Sequence, residues 1–222
     1  MAARDRAREW LLRRRTFRSL WGRYRRSQLH RRYEARRERY AREANQRGLV
    51  YCEANVARLV RARLAARGPA PVLRAQGEVH TFAFIPQIGW HPALLGDLRE
   101  LGLVTLFDYA QLGFDWEEFY RAKGTGRARR RAMNAMILPA LREASALRAV
   151  DWVFVYASGA EISADTIRRI TEELGIPVVN MCLDDKQSWS GAWMGDHRAG
   201  QIDIAATFDL SWTSARVACE WY

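Results

Sequence analysis

The side chains of this 222-residue chain that could carry out chemistry stand directly after short apolar runs. The most informative set is Asp184-Asp185-Lys186, which follows the run Pro177–Leu183. Adjacent carboxylates can bind a cation, accept hydrogen bonds from sugar hydroxyls, or take a proton from one of them. In the structural alternative, Asp184 caps its loop and Asp185 pairs with Lys186. No histidine or third acid stands beside the pair, so we expect no metal site.

The same loop continues with hydroxyl and aromatic side chains. Ser188, Trp189 and Trp193 follow in a glycine-containing stretch. A tryptophan exposed there would stack on a sugar ring, whereas in the structural alternative both tryptophans only pack the loop down. We therefore include Lys186, Ser188 and Trp189 among the candidate substrate-binding residues.

A second candidate loop follows the apolar run Val79–Ile85. It contains Gly89-Trp90-His91, in which the glycine permits a close approach of the backbone and His91 can act as an acid or a base. His91 stands next to Pro92, so a helix N-cap or an ordinary loop position fits it equally well. The loop supplies Gly89 and Trp90 as binding candidates and His91 as a second choice for catalysis.

A third candidate follows the run Trp152–Ala157. Ser158-Gly159-Ala160-Glu161 leads into a helix start, which could hold a ligand hydroxyl or a phosphate. The structural alternative is a tight turn from strand to helix. Ser158, Gly159 and Glu161 are the binding candidates here.

The pattern of the elements explains why these loops belong together. Five short apolar runs alternate with amphipathic helices, which predicts a parallel sheet covered on both faces. The runs are 79–85, 103–107, 152–157, 177–183 and 207–213. Helices are expected from Pro92 to a stop at Gly102, over 127–147 with Pro139 kinking or restarting it, after the N-cap Ser163, and at the end of the chain from residue 215. The fold class is α/β, a Rossmann-like three-layer αβα domain. Such folds place ligands at the carboxyl ends of their strands.

The positive charge is confined to one end of the chain. Residues 1–47 carry a net charge of +12, and residues 48–222 carry −1. We divide the chain into a basic amphipathic helical leader (1–47), a helix with a Gly/Pro linker (48–75) and the Rossmann-like domain (76–222). The three cysteines are odd in number and widely spaced, which favours a reducing, cytoplasmic setting over a disulfide framework. No apolar run reaches the length of a membrane-spanning helix.

Three interpretations of the basic leader stay open. Trp10, Phe17, Leu20, Trp21 and Tyr24 fall on one helical face. That face could pack on the domain or a partner helix, enter an anionic membrane surface, or accompany arginines that bind nucleic acid. The aromatic residues favour membrane over nucleic acid, since phosphate binding alone needs no such face. A peripheral membrane location is the corresponding expectation.

The residues of the domain resemble a known family. WVFVYASGAEIS, TIRRITEELGIPVVNMCLDD and FDLSWTSARVACEWY are similar to the amino-terminal half of CgeB-like glycosyltransferases, relatives of the group 1 transferases with GT-B architecture. The resemblance covers residues 79–222. It depends on the order and spacing of these three segments.

The resemblance implies a function and a site. The strand at 152–157 would lie beside the strand at 79–85, bringing the loops Gly89–His91 and Ser158–Glu161 together, with the Asp184/Asp185 pair one strand further out. The domain would be the acceptor-side half of an enzyme that moves a sugar from a nucleotide sugar to a hydroxyl, with no other cofactor. The carboxyl-terminal Rossmann domain of the family is missing, so we expect a fragment or a protein inactive by itself. The alternative is a non-catalytic flavodoxin-like binding module, docked to a membrane or a partner by its basic helix.

Overall fold

The computed structural model describes residues 15–49, 51–68, 74–115, 118–119, 125–183, 200–214 and 218–219. The chain divides into two compact units, one over residues 1–50 and one over residues 51–220. The first contains α1 (Arg15–Gln46). The elements described in the second are α2 (Glu53–Ala65), β1 (Val79–Phe84), α3 (His91–Leu101), β2 (Gly102–Leu106), α4 (Thr125–Leu147), β3 (Trp152–Val155), α5 (Ala164–Glu173), β4 (Val178–Cys182), α6 (Gln201–Ile204), a 3₁₀ turn (Ala205–Thr207) and β5 (Leu210–Thr213).

The five strands form one parallel sheet in the order β2-β1-β3-β4-β5. β1 lies between β2 and β3, with Val79 opposite Gly102 and Phe84 opposite Val155. This is the strand order of flavodoxin-like doubly wound sheets. The predicted parallel α/β sheet is confirmed, and so is the placement of β3 beside β1.

Helices cover both faces of the sheet. Phe82 and Phe84 of β1 belong to the larger core, which α4 and α5 cover with residues such as Ile137 and Ile167. Ala83 and Ile85 point to the opposite face and pack in a smaller core with Leu95 and Leu98 of α3. Because successive strand residues face opposite ways, continuously apolar strands are buried on both sides. The predicted three-layer αβα arrangement is confirmed.

Gly102 makes the passage from α3 to β2 possible. Its φ is +147°, and a Cβ atom added there would lie 2.2 Å from the carbonyl oxygen of Val79. Only glycine tolerates both this conformation and this approach. The prediction that Gly102 ends the helix is confirmed.

Pro139 neither ends nor restarts α4, so of the two predicted effects the restart is wrong and the kink stays a prediction. The helix is continuous from Thr125 to Leu147 with the proline inside it. Proline removes one backbone hydrogen bond and typically costs about 3 kcal/mol in a helix interior. Ile137, Leu138 and Leu141 are buried on either side of it, and this packing offsets the loss.

Two further predictions meet the structure at their boundaries. β5 begins at Leu210, because residues 205–207 form a 3₁₀ turn instead of the start of the strand. Residues 69–73 of the linker, and residues 215–217 and 220–222 of the helix expected at the end, lie outside the described residues. Among the helices that are described, none is both long and apolar enough to traverse a bilayer.

An ion cluster joins α2 to the amino end of β5. The Asp209 side chain is buried and accepts a hydrogen bond of 2.9 Å from the Val178 amide. The Arg67 guanidinium lies 2.6 Å and that of Arg63 3.3 Å from the same carboxylate. Arg63 also donates to the carbonyl oxygens of Phe208 and Ala206. The cluster fixes α2 to the sheet.

His80 is a second anchor at the amino end of the sheet. It is 1% exposed, and its ring nitrogens lie 2.9 Å from the Arg148 carbonyl oxygen and 2.9 Å from the Thr105 hydroxyl. Its backbone amide donates to the Asp151 carboxylate. Both ring nitrogens are thus committed, which makes this histidine structural.

Candidate functional site

The candidate site lies at the carboxyl ends of β1 and β3. The chain leaves β1 toward β2 on one side and returns through α4 to β3 on the other, so the connections diverge above this pair of strands. Divergence of this kind opens a crevice in which doubly wound proteins bind their ligands. The loops after β1 and β3 therefore border the crevice.

An aromatic pair connects the two loops. The rings of Trp90 and Tyr156 are 4.9 Å apart, edge to face at 74°. Tyr156 is held by its backbone amide, which donates to the Phe84 carbonyl oxygen at 2.9 Å. Trp90 is 39% exposed. The pair therefore presents part of an indole to solvent on a fixed support.

His91 begins α3 with one ring nitrogen committed. Its Nδ1 lies 2.6 Å from the Ile88 carbonyl oxygen, to which it must donate because a carbonyl only accepts. A neutral ring then carries its lone pair on Nε2. Of the residues that the structure describes, none bonds to Nε2. His91 is half-buried, and this nitrogen is able to accept a proton.

Gly89 has no structural need to be glycine in this conformation. It is exposed, its φ is not positive, and an added Cβ atom would meet nothing within 4 Å. The described residues therefore make no close approach to the backbone at Gly89 that would require a glycine. The space beside Gly89 is open to a ligand.

The turn after β3 is stabilised by its own side chains. The Glu161 carboxylate accepts hydrogen bonds from the Ser158 amide at 2.9 Å and the Ser158 hydroxyl at 2.6 Å. The Ser158 oxygen accepts one from the Ala160 amide. Both Ser158 and Glu161 are 4% exposed. These contacts agree with the alternative of a tight turn, in which Ser158 and Glu161 stabilise the loop that borders the crevice.

Asn134 of α4 supports this turn and was missed in the sequence. Its amide nitrogen donates to the Glu161 carbonyl oxygen at 2.7 Å, and its oxygen accepts from the Ser163 amide and the Thr166 hydroxyl. It is buried. The available signal was an asparagine in helical register with the apolar positions Ile137 and Leu141, where an unpaired amide would be costly.

The carboxyl end of β2 adds a shallow polar pocket beside β1. The Asp108 carboxylate accepts from the Gln87 amide at 2.7 and 2.8 Å and from the backbone amides of Ala110 and Gln111. Next to it is an open cavity of about 370 Å³. Its lining residues are Gln87, Tyr109, Ala110, Gly113, Phe114 and Asp115. Asp108 thus holds Gln87 and Ala110, two of the lining residues, in place.

The remaining predicted site residues cannot be placed. Asp184, Asp185, Lys186, Ser188 and Trp189 lie outside the described residues, directly after Leu183 in the sequence. Within the part of the chain that is described, no three His, Cys, Asp or Glu side chains are arranged to hold a metal ion. The site built from described residues therefore consists of the two loops above β1 and β3.

The comparisons with known proteins assign no family. No protein-family model matches the chain, and no curated protein and no solved structure matches it. The resemblance to CgeB-like glycosyltransferases therefore stays a prediction, and the crevice itself must support any functional proposal.

Proposed function

We propose that residues 76–222 form the acceptor-side half of a GT-B glycosyltransferase. The enzyme would move a sugar from a nucleotide sugar to a hydroxyl group, with the nucleotide bound by a second Rossmann domain. The proposal combines the resemblance of three sequence segments with the crevice above β1 and β3. Without that crevice, the parallel sheet alone would not favour any reaction.

The observation that carries the proposal is the pair of exposed groups at the crevice. Trp90 offers an indole surface on the fixed Tyr156 ring, and the C–H face of a sugar packs well on such a surface. His91 stands next to it in the chain with Nε2 uncommitted among the described residues. A stacked acceptor would therefore have a proton acceptor nearby.

These groups suggest how the acceptor would react. The His91 Nε2 atom takes the proton of the acceptor hydroxyl, and that oxygen forms a bond to the anomeric carbon of the donor. The bond between the anomeric carbon and the phosphate oxygen breaks, and the nucleoside diphosphate leaves with that electron pair. The hydrogen bond from Nδ1 to the Ile88 carbonyl stabilises the imidazolium that forms.

Asp184 and Asp185 keep a place in the proposal as the alternative base or as sugar ligands. In the sequence they directly follow the end of β4, which is the neighbour of β3 in the sheet. Carboxylates suit both roles, because they accept hydrogen bonds from hydroxyls and take up protons. The reaction tests below therefore include Asp185→Asn beside His91→Gln.

The test is binding of simple glycosides by the chain itself. We expect p-nitrophenyl glycosides to bind weakly, and Trp90→Ala to weaken binding about tenfold, since stacking on an aromatic ring contributes roughly 1–1.5 kcal/mol. Trp212→Ala is the matched control, because Trp212 is 55% exposed on β5, away from the crevice. Calorimetry or saturation-transfer NMR measures the affinities. Equal losses in both variants would contradict the proposal.

A second measurement tests the division into two halves. The 222-residue chain mixed with nucleotide sugars should release no nucleoside diphosphate, because the donor site belongs to the other domain. Rapid release of nucleoside diphosphate by this chain would contradict the two-domain proposal. In a complete enzyme, His91→Gln and Asp185→Asn are then compared by kcat, and the base is the residue whose loss lowers it at least a hundredfold.

The strand order favours one alternative. β2-β1-β3-β4-β5 is the flavodoxin-like order, which suits a non-catalytic binding module. Such a module predicts that no glycoside binds at the crevice, or that Trp90→Ala leaves the affinity unchanged. The glycoside titration thus separates the two functions.

A further inference from the structure

Charge is distributed unevenly along α1. Residues 15–33 contain seven arginines and no acidic residue, whereas residues 34–46 contain four arginines and three glutamates. The glutamates are paired, at 2.8 Å for Arg39–Glu43, 3.7 Å for Arg37–Glu34 and 3.9 Å for Arg42–Glu38. The second half of the helix is therefore close to neutral, and the first half carries an uncompensated positive charge.

The paired half shows the effect of its own ions. The hydrogen bond from Arg39 lowers the pKa of the Glu43 carboxyl below its usual range, although both side chains are exposed. Pairs four residues apart on a helix support the helix itself. This half needs no external anion.

The uncompensated half also carries the apolar face of the helix. Leu20 is 60% and Tyr24 54% exposed, and the Trp21 ring stacks on Tyr24 at 5.6 Å. At about 100° per residue, positions 15, 18, 23 and 26, all arginines, fall away from this face, and position 25, also an arginine, lies at its border. Positions 31 and 32 return arginines toward the apolar side, which ends the face there.

We infer that the first half of α1, residues 15–33, docks on an anionic lipid surface. An interfacial helix presents tryptophan, tyrosine and leucine to the acyl boundary and arginine to the headgroups. Each arginine close to such a surface adds attraction, and residues 15–33 contain no acidic residue that would repel it.

The apolar face decides between lipid and nucleic acid. Neutralising the phosphates of a nucleic-acid duplex requires only the arginines, and the exposed Leu20 and Tyr24 contribute nothing to it. A bilayer needs both sets of residues. The distinguishing observation is therefore how strongly binding depends on the uncharged positions.

The experiment measures co-sedimentation of the 222-residue chain with vesicles of phosphatidylcholine containing about 30% phosphatidylglycerol. We expect binding to these vesicles and at least tenfold weaker binding to neutral vesicles. The double variant Leu20→Ser/Tyr24→Ser should bind about tenfold more weakly at unchanged charge. The triple variant Arg23→Gln/Arg25→Gln/Arg26→Gln should bind about a hundredfold more weakly.

The matched control removes the same charge from the paired half. Arg37→Gln/Arg39→Gln/Arg42→Gln should weaken vesicle binding several-fold less than the first triple variant does, because the apolar face that holds the helix on the bilayer ends before these residues. Circular dichroism confirms that each variant keeps its helix. Equal losses in the two triple variants, or full vesicle binding by the Leu20/Tyr24 variant, would overturn the inference. The inference would also be overturned if the unmodified chain forms a dimer and does not bind vesicles, and the Leu20/Tyr24 variant is a monomer.

Discussion

The two ends of the parallel sheet use the same kinds of residue in opposite ways. At the amino end, His80 is buried with both ring nitrogens bonded, Asp209 is surrounded by two arginines and an amide, and Gly102 allows backbone contact. At the carboxyl end, His91 has one ring nitrogen committed and Gly89 has open space around it.

Whether a polar group is already bonded within the protein decides whether it can bind a ligand. Polar groups that satisfy one another contribute to stability and have nothing left for a ligand. At the crevice, Gly89, Trp90 and His91 keep open space, exposed surface or an uncommitted atom, whereas Ser158 and Glu161 satisfy each other as the groups at the amino end do. Substitutions at the amino end should therefore destabilise the domain, and those at Trp90 and His91 should mainly change binding.

The largest difference is expected between the two glycines. Gly102→Ala forces a Cβ atom against the Val79 carbonyl at a φ that only glycine adopts readily, and it should lower the free energy of unfolding by roughly 4 kcal/mol. Gly89→Ala meets no atom and should change it by less than about 0.5 kcal/mol. Urea denaturation followed by circular dichroism measures both. If Gly102→Ala leaves the free energy of unfolding unchanged, the close contact of residue 102 with the Val79 carbonyl oxygen is contradicted.

The ion cluster gives the next largest effect. Asp209→Asn keeps the shape and the acceptor for the Val178 amide but removes the charge between Arg63 and Arg67. We expect a loss of about 2–3 kcal/mol, below that of a fully buried pair because Arg63 is partly solvated. Asp97→Asn, on the exposed surface of α3, is the control and should have no measurable effect. If Asp209→Asn leaves the free energy of unfolding unchanged, the cluster does not stabilise the attachment of α2.

The histidines give the smallest but most informative comparison. His80→Leu leaves the Thr105 hydroxyl and the Arg148 carbonyl without their partner and should cost about 2 kcal/mol. His91→Leu removes one bond in a half-buried position and should cost less than about 1 kcal/mol. Thermal and urea unfolding of the two variants are compared directly. If His91→Leu destabilises the domain as much as His80→Leu, the crevice histidine is structural.

Much of the fold was predictable because its signals are local. Apolar runs, the Ser163 N-cap and the glycine after α3 each report on a few neighbouring residues, and the structure confirms all three. The Ser163 hydroxyl accepts the Thr166 amide at 3.1 Å, as a capping serine should. The restart considered at Pro139 does not occur, because tertiary packing, which a local rule does not contain, keeps the helix continuous.

The site was less predictable because its contacts are distant in sequence. Trp90 contacts Tyr156 across α3, β2, α4 and β3, and Asn134 in α4 contacts the turn at Glu161 and Ser163 beyond β3. The position of these loops at strand ends could be predicted, but the atoms that form hydrogen bonds within each loop could not. Ser158 and Glu161 illustrate this, since their hydrogen bonds to each other depend on the turn that they form.

An NMR titration tests directly whether the carboxyl ends of β1 and β3 form a ligand-binding crevice. In ¹H–¹⁵N spectra of the chain, the indole resonance of Trp90, assigned with Trp90→Phe, is followed as a p-nitrophenyl glycoside is added, together with that of Trp212. We predict a saturable shift of the Trp90 signal and none for Trp212. A shift of Trp212 alone, or no shift of Trp90 at saturating glycoside, would contradict the assignment of the carboxyl end of β1 and β3 as the binding edge.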